Sequence, residues 1–189
     1  MNIMKYVKTP FTSEDAKQLR AGDEVLINGI ILTGRDAAHK RLYDMILRGE
    51  DLPVDLNDKI IYYVGPAPTP PGREIGSAGP TTSGRMDAYS PTLLEKCGLR
   101  GMIGKGKRNS EVRKALCDYS GVYFSAIGGL AALLSEAVTA AKIILFDDLG
   151  AEAIYELEVK DFPAVVINDC FMGDAYIENC EKWRNNFLL

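Results

Sequence analysis

Apolar and polar positions alternate along this chain in two rhythms, one of strands and one of helices. Val25 to Leu32 is a compact, β-branched run and predicts a strand. From Asp36 to Leu47 the apolar positions Ala38, Leu42, Met45 and Ile46 recur every three to four residues, which predicts a helix with one apolar stripe. Lys59 to Val64 reads as another strand. Short strands near Arg100 to Ile103 and Val122 to Phe124 bracket a helix over Ser110 to Asp118. Thr12 or Ser13 starts a short helix whose first turn carries Glu14 and Asp15, where the helix dipole favours acidic groups. Ser90 is placed as the cap of a further helix, opened by Pro91 and running to about Cys97. The segment IGGLAALLSEAV, from Ile127, fits either a tightly packed helix or a glycine-lined turn into one.

The C-terminal third predicts three strands, at Lys142 to Phe146, Ala153 to Val159 and Ala164 to Asn168, then an amphipathic closing helix over Asp174 to Phe187 with Trp183 as a packed aromatic. Between the strand at Lys59 and the helix at Pro91 lies PAPTPPGRE, whose four prolines cannot continue a sheet ladder and predict a long, stiff loop. The result is an α/β alternation too irregular for a simple doubly wound sheet. With 189 residues, 47% hydrophobic content and no low-complexity linker, the chain is expected to form a single domain over 1–189.

Charge and cysteine usage narrow the possible roles. A net charge of −4 lacks the basic footprint needed to displace counterions from nucleic acid. No apolar run reaches the roughly 18 residues that span a membrane, and no signal-peptide pattern opens the chain, so a soluble, cytoplasmic protein is expected. Cys97, Cys117, Cys170 and Cys180 are scattered without a C-x-x-C pair, which fits reduced thiols and gives no ligand set for an iron–sulfur cluster or zinc.

The stretch from Gly76 to Arg108 concentrates what chemistry the sequence offers. Gly76, Gly79 and Gly84 allow close backbone approach or positive φ, and Thr81, Thr82 and Ser83 supply three adjacent hydroxyls. Arg85 offers a bidentate fork and Lys105 a compact point charge, a combination suited to a small dianion. Lys107 and Arg108 read as solvated loop. Arg35 stands where a strand gives way to a helix, a junction at which backbone N–H groups and the positive helix end can face an anion. His39, four residues on, shares its helix face and could orient Arg35 or shuttle a proton. Asp87 has two available partners, Arg85 and a nearby backbone N–H.

The segments GPTTSGRMD and IGKGKR, with the earlier LTGRDAAHKRL (Thr33, Gly34, Arg35, Asp36, Ala38, His39) and YVGPAP from Tyr63, resemble the beta subunit, or C-terminal domain, of class I iron–sulfur fumarate hydratases and L-tartrate dehydratases. The resemblance covers nearly the whole chain. It implies a swivelling β/β/α domain, with layered sheets and flanking helices, that acts as a mobile lid. It also implies a cluster-bearing alpha partner in an α2β2 heteromer, with a [4Fe–4S] cluster held by that partner and none of its ligands here.

For reversible hydration of fumarate to L-malate, the resemblance assigns Arg35, Thr81, Thr82, Arg85 and Lys105 to the dicarboxylate substrate. It makes Thr81 the candidate for proton transfer, with Arg85 and Lys105 catalytic beside it, and leaves His39, Ser83 and Asp87 in supporting positions. On chemistry alone Thr81 serves equally well as a hydrogen-bond donor to a carboxylate, since a hydroxyl becomes a base only where nearby cations lower its pKa. Backbone N–H groups of the GPTT turn are further candidate donors. Two other functions stay open: an L-tartrate dehydratase beta subunit, and a non-catalytic dicarboxylate- or phosphate-binding or structural module. The GPTTSGRMDAY spelling favours fumarate.

Overall fold

The computed structural model describes residues 4–126 and 131–187. Its strands are β1 (Lys5–Lys8), β2 (Glu24–Thr33), β3 (Ile60–Tyr62), β4 (Gly101–Gly104), β5 (Val122–Ser125), β6 (Val138–Leu145) and β7 (Ile154–Asn168). Its helices are α1 (Ser13–Lys17), α2 (Asp36–Leu47), α3 (Ser90–Cys97), α4 (Ser110–Asp118), α5 (Ala131–Glu136) and α6 (Ala175–Phe187). The first five strands pair in sequence order and all run parallel. Parallel neighbours need crossovers, and α2 and α3 supply those between β2 and β4 while α4 leads from β4 to β5.

β7 runs antiparallel and carries the closure of the sheet. Its length lets one edge pair with β2 while the other pairs with β6 and then with β5. The pairings β2–β3–β4–β5–β7–β2 therefore form a closed circuit. Alternate residues on β3 separate two cores: Ile60, Tyr62 and Val64 join a cluster with Phe11, Ile27, Phe124 and Phe162, whereas Ile61 and Tyr63 pack with Leu42, Leu93 and Leu116 of the helices. One seven-stranded sheet and its flanking helices pack around these cores, an α/β fold as expected.

Local sequence explains most boundaries. Thr12 caps α1 in a capping box with Asp15. α2 and α4 occupy the predicted spans, the latter capped by the Asn109 side chain on Val112 N. Within IGGLAALLSEAV, Ala131–Glu136 is helical and Val138 already belongs to β6, while residues 127–130 lie outside the described residues.

Two predicted features are corrected. The strands expected at Ala153 to Val159 and Ala164 to Asn168 are one strand of 15 residues. Pro163 does not break it, because it falls on the β7 edge away from β2 in the gap between Lys160, whose N–H donates to Ala137 O beside β6, and Val165, where β5 begins. Ser90 is the first residue of α3, not its cap; Tyr89 is the cap residue, and the Ser90 hydroxyl donates instead to Met86 O at 2.8 Å. α6 matches the expected closing helix, and the Trp183 side chain lies outside the described residues. No helix among the described residues is long and apolar enough to cross a membrane.

Candidate anion site at the parallel strand ends

Parallel strands leave their C-terminal ends on one side, where α/β domains bind ligands. The chain departs from β3 through the proline-rich loop and returns so that Thr81 N donates to Tyr63 O at 2.8 Å and Lys105 N donates to Thr81 O at 3.3 Å. Ser83 N then donates to Lys105 O at 2.9 Å. Thr81 and Thr82 thus fill the gap where β3 and β4 diverge, and the Thr81 N–H, one of the GPTT groups expected as ligand donors, is consumed by this pairing.

Gly104 is the residue that permits the insertion, since a Cβ there would run into Ser83 Oγ. Ser83 Oγ lies 2.9 Å from Tyr123 Oη, which spends its own proton on Gly106 O at 2.9 Å. Ser83 is therefore the donor of the pair. Gly76 also permits close approach, but to Ala67 O and Pro68 O of its own loop, and neither Gly76, Gly79 nor Gly84 has positive φ.

Three of the predicted cations sit around this insertion. Arg35 is the cap residue of α2, and its guanidinium packs against the bare backbone of Gly65. Asp36 joins two of them: its Oδ2 lies 3.9 Å from Arg35 Nε and 3.3 Å from Arg85 Nη2. Glu152 approaches Arg35 from the other side at 3.4 Å, and its second oxygen accepts from Ala37 N at 2.9 Å, capping α2 from a distant turn. The Lys105 side chain is exposed and makes no ion pair among the described residues. Three cations are thus set against two carboxylates. Thr82 is exposed beside them, and Thr81 Oγ1 donates to Tyr63 O at 3.1 Å, leaving its lone pairs as the unused function.

His39 is buried, with Nδ1 2.9 Å from Arg35 O and its ring edge-on to Tyr63. Only a protonated Nδ1 can donate to that carbonyl, so Nε2 holds the lone pair, and it has no partner. Burial lowers the His39 pKa to about 4, partly offset by the bond to Arg35 O. The imidazole is neutral near pH 7 and fixes the backbone of Arg35. A consequence for stability follows. Above pH of about 6.5 neither state binds the proton; as pH falls towards 4 the unfolded chain binds it first, and about 3 kcal/mol of stability is lost across that window. Urea midpoints measured from pH 7.5 to 4.5 should show this slope. His39→Asn, which keeps a donor but does not titrate, should flatten it.

Arg108 is the principal correction at the site. Read from sequence as solvated, its side chain is fully buried. Nε donates to Asp87 Oδ1 at 2.7 Å, Nη1 to Tyr63 Oη at 3.2 Å and Nη2 to Ser90 Oγ at 2.6 Å, with the guanidinium over the Tyr63 and Tyr123 rings. Asp87 consequently pairs with Arg108 and not with Arg85, while its other oxygen takes the expected backbone N–H, that of Asn109, at 2.9 Å. Lys107 is exposed, as expected. Asp36, Glu152, Tyr63 and Tyr123 were not singled out from sequence. Asp36 stood inside LTGRDAAHKRL and was legible as an acid beside Arg35, whereas no local signal marks Glu152.

These features define an α/β domain that gathers cationic and hydroxyl side chains at the ends of parallel strands. Residues 3–178 match the family model described as Fumarase C-terminus, and the chain belongs to that family. It is 43% identical over 144 residues to the aerobic class I fumarate hydratase of Escherichia coli K12, covering 76% of this chain and 26% of that protein. Fumarate hydratase 2 of Leishmania major is 38% identical over 164 residues, covering 86% of this chain and 29% of that one. A Methanocaldococcus jannaschii protein named "Putative L(+)-tartrate dehydratase subunit beta" is 39% identical over 183 residues, covering 95% of this chain and 94% of that one. The chain therefore spans about a quarter to a third of the fumarate hydratases it matches, and nearly all of the subunit-sized relative.

Proposed function

We propose that this chain is the beta component of an iron–sulfur hydro-lyase that interconverts fumarate and L-malate, working with a cluster-bearing alpha partner in the cytoplasm. The observation that carries the reading is the group formed by Arg35, Arg85 and Lys105 around the inserted Thr81, on three adjacent strand ends. Hydration of a dicarboxylate requires binding of two carboxylates, movement of a proton at carbon and handling of a poor leaving group. Arg35 and Arg85 bind the carboxylates, and Lys105 stabilises the negative charge that develops next to one of them. Thr81, whose hydroxyl donates to Tyr63 O in the free chain, takes up the carbon-bound proton as an alkoxide, a state that the nearby cations have to favour.

Among the described residues no three His, Cys, Asp or Glu side chains come together as a group that could hold a metal ion. In the partner, an iron–sulfur cluster supplies Lewis acidity toward the departing hydroxyl. The steps assigned to this chain are confined to binding, orientation and the proton at Thr81. The two carboxylates already facing the cations argue against a free-standing anion-binding module, because they weaken the field available to a dianion in the isolated chain.

The tartrate reading has its own support, in the subunit-sized relative matched over 94% of its length. Anaerobic co-expression with a cluster-bearing partner, cluster reconstitution and parallel assays of L-malate and L-tartrate dehydration separate the two. Malate turnover that requires both chains is the expected result; tartrate turnover alone reassigns the substrate, and inactivity of a loaded complex on both overturns the hydro-lyase reading. In the active complex Arg85→Ala should lower kcat/KM by about tenfold to a hundredfold, the loss of one or two charge-assisted bonds. Arg85→Lys should recover only part, since an ammonium cannot form the bidentate fork. Unchanged kinetics in Arg85→Ala would remove this residue from the site.

A further inference from the structure

The ion pairs of this molecule fall into two kinds. Arg108 meets Asp87 at 2.7 Å, and Arg41 meets Asp148 through two bonds of 2.8 Å, all with hydrogen-bond geometry. Asp36 differs. Its Oδ2 sits 3.3 and 3.9 Å from two guanidinium groups, makes no hydrogen bond to either, and is inaccessible to solvent. Arg35 Nε beside it is likewise buried without a hydrogen-bond partner. Buried polar atoms are ordinarily satisfied, so a donor and an acceptor that face each other unbonded mark a loosely made pair whose partners can be exchanged.

A replacement partner for the two arginines has to accept from their N–H groups and approach from solvent, where the Arg35 and Arg85 side chains keep 24% and 47% exposure. A carboxylate meets both requirements. Asp36 presents one from within the chain, at a spacing too long for good bonds.

We infer that Asp36 is a built-in carboxylate that holds the Arg35 and Arg85 pair in the free site and yields it to an incoming substrate carboxylate. This rests on the reading of that pair as the dicarboxylate site. Asp36 is a positioning residue: it keeps two cations from separating or scattering when no ligand is present, and its charge competes with the ligand. The loose contact is what permits exchange, since a bond of the Arg108–Asp87 kind would be too strong to give up. Glu152, tied to Ala37 N, stays in place and keeps Arg35 against α2.

The test is a titration of the full chain with succinate, an unreactive dicarboxylate, followed by the arginine Nε–H signals in nitrogen–proton correlation spectra. Asp36→Asn and, as a second variant, Asp36→Ser remove the charge while keeping a residue suited to a helix start. Each should bind succinate about three- to tenfold more tightly than wild type, the effect of deleting one partly screened like charge, with the Arg35 and Arg85 signals moving. In the reconstituted complex KM for L-malate should fall by a similar factor, with kcat changed less than about threefold.

Equal or weaker succinate binding by both folded variants overturns the inference and leaves Asp36 as a purely structural partner of the arginines. Tighter binding at the arginine signals in a chain whose complex turns over no dicarboxylate would retain the inference and remove the hydro-lyase reading. Wild-type turnover without tightening in the variants would do the reverse.

Discussion

Arg108→Ala should destabilise the domain by about 3–5 kcal/mol, because it leaves the carboxylate of Asp87, only 11% exposed, without its buried counter-charge. The loss is larger than that of a surface pair, which contributes about 0–1 kcal/mol. It extends to the Ser90 and Tyr63 hydroxyls, each of which accepts a bond from the guanidinium. In a domain of this size the melting temperature should fall by roughly 6–20 °C. Adding Asp87→Asn should recover part of the loss, since the amide oxygen can still accept from Asn109 N and no charge is stranded. A change below about 1 kcal/mol in the single variant would show that Arg108 is hydrated in solution, as a sequence reading of GKGKR has it.

The second large effect concerns rate. In the active complex Thr81→Ala should reduce kcat by about 10²–10⁴-fold with little change in KM, the range for removal of a proton-transfer group. Thr81→Ser should retain substantial activity because it keeps the oxygen and its bond to Tyr63 O. A threonine that only holds a carboxylate gives another pattern, a loss of about tenfold shared between kcat and KM. The first outcome needs the hydroxyl to ionise, and in the free chain Thr81 Oγ1 holds its proton and donates it to Tyr63 O. Cations such as Arg85 and Lys105, brought near that oxygen, would lower its pKa and favour the alkoxide that accepts the carbon-bound proton.

How far the sequence reaches can be judged from particular residues. α2 was legible because its apolar stripe lies inside the helix itself, and α4 because two short strands bracket it. Thr81, Arg85 and Lys105 were legible as candidate chemistry because glycines, hydroxyls and cations cluster within one segment. What escaped depends on distant chain. Pro163 reads as a strand break until the gap between β6 and β5 on that edge is known. Arg108 reads as solvent-facing until Asp87, Ser90, Tyr63 and Tyr123 converge on it from different elements. Glu152 reaches the start of α2 across 115 residues of sequence, a contact for which no local pattern exists.

The closed circuit of β2, β3, β4, β5 and β7 bears on motion. A strand end in an open sheet can fray or tilt by itself; here β2, β3 and β4, whose ends position Arg35, Thr81 and Lys105, are each locked between neighbours, and moving one means breaking ladders around the ring. The backbone positions of the three residues are therefore fixed relative to one another by one stiff ring of ladders. In the proposed two-component enzyme, fitting them to the partner would then be a matter of approach angle, with no need to rebuild their arrangement in each cycle.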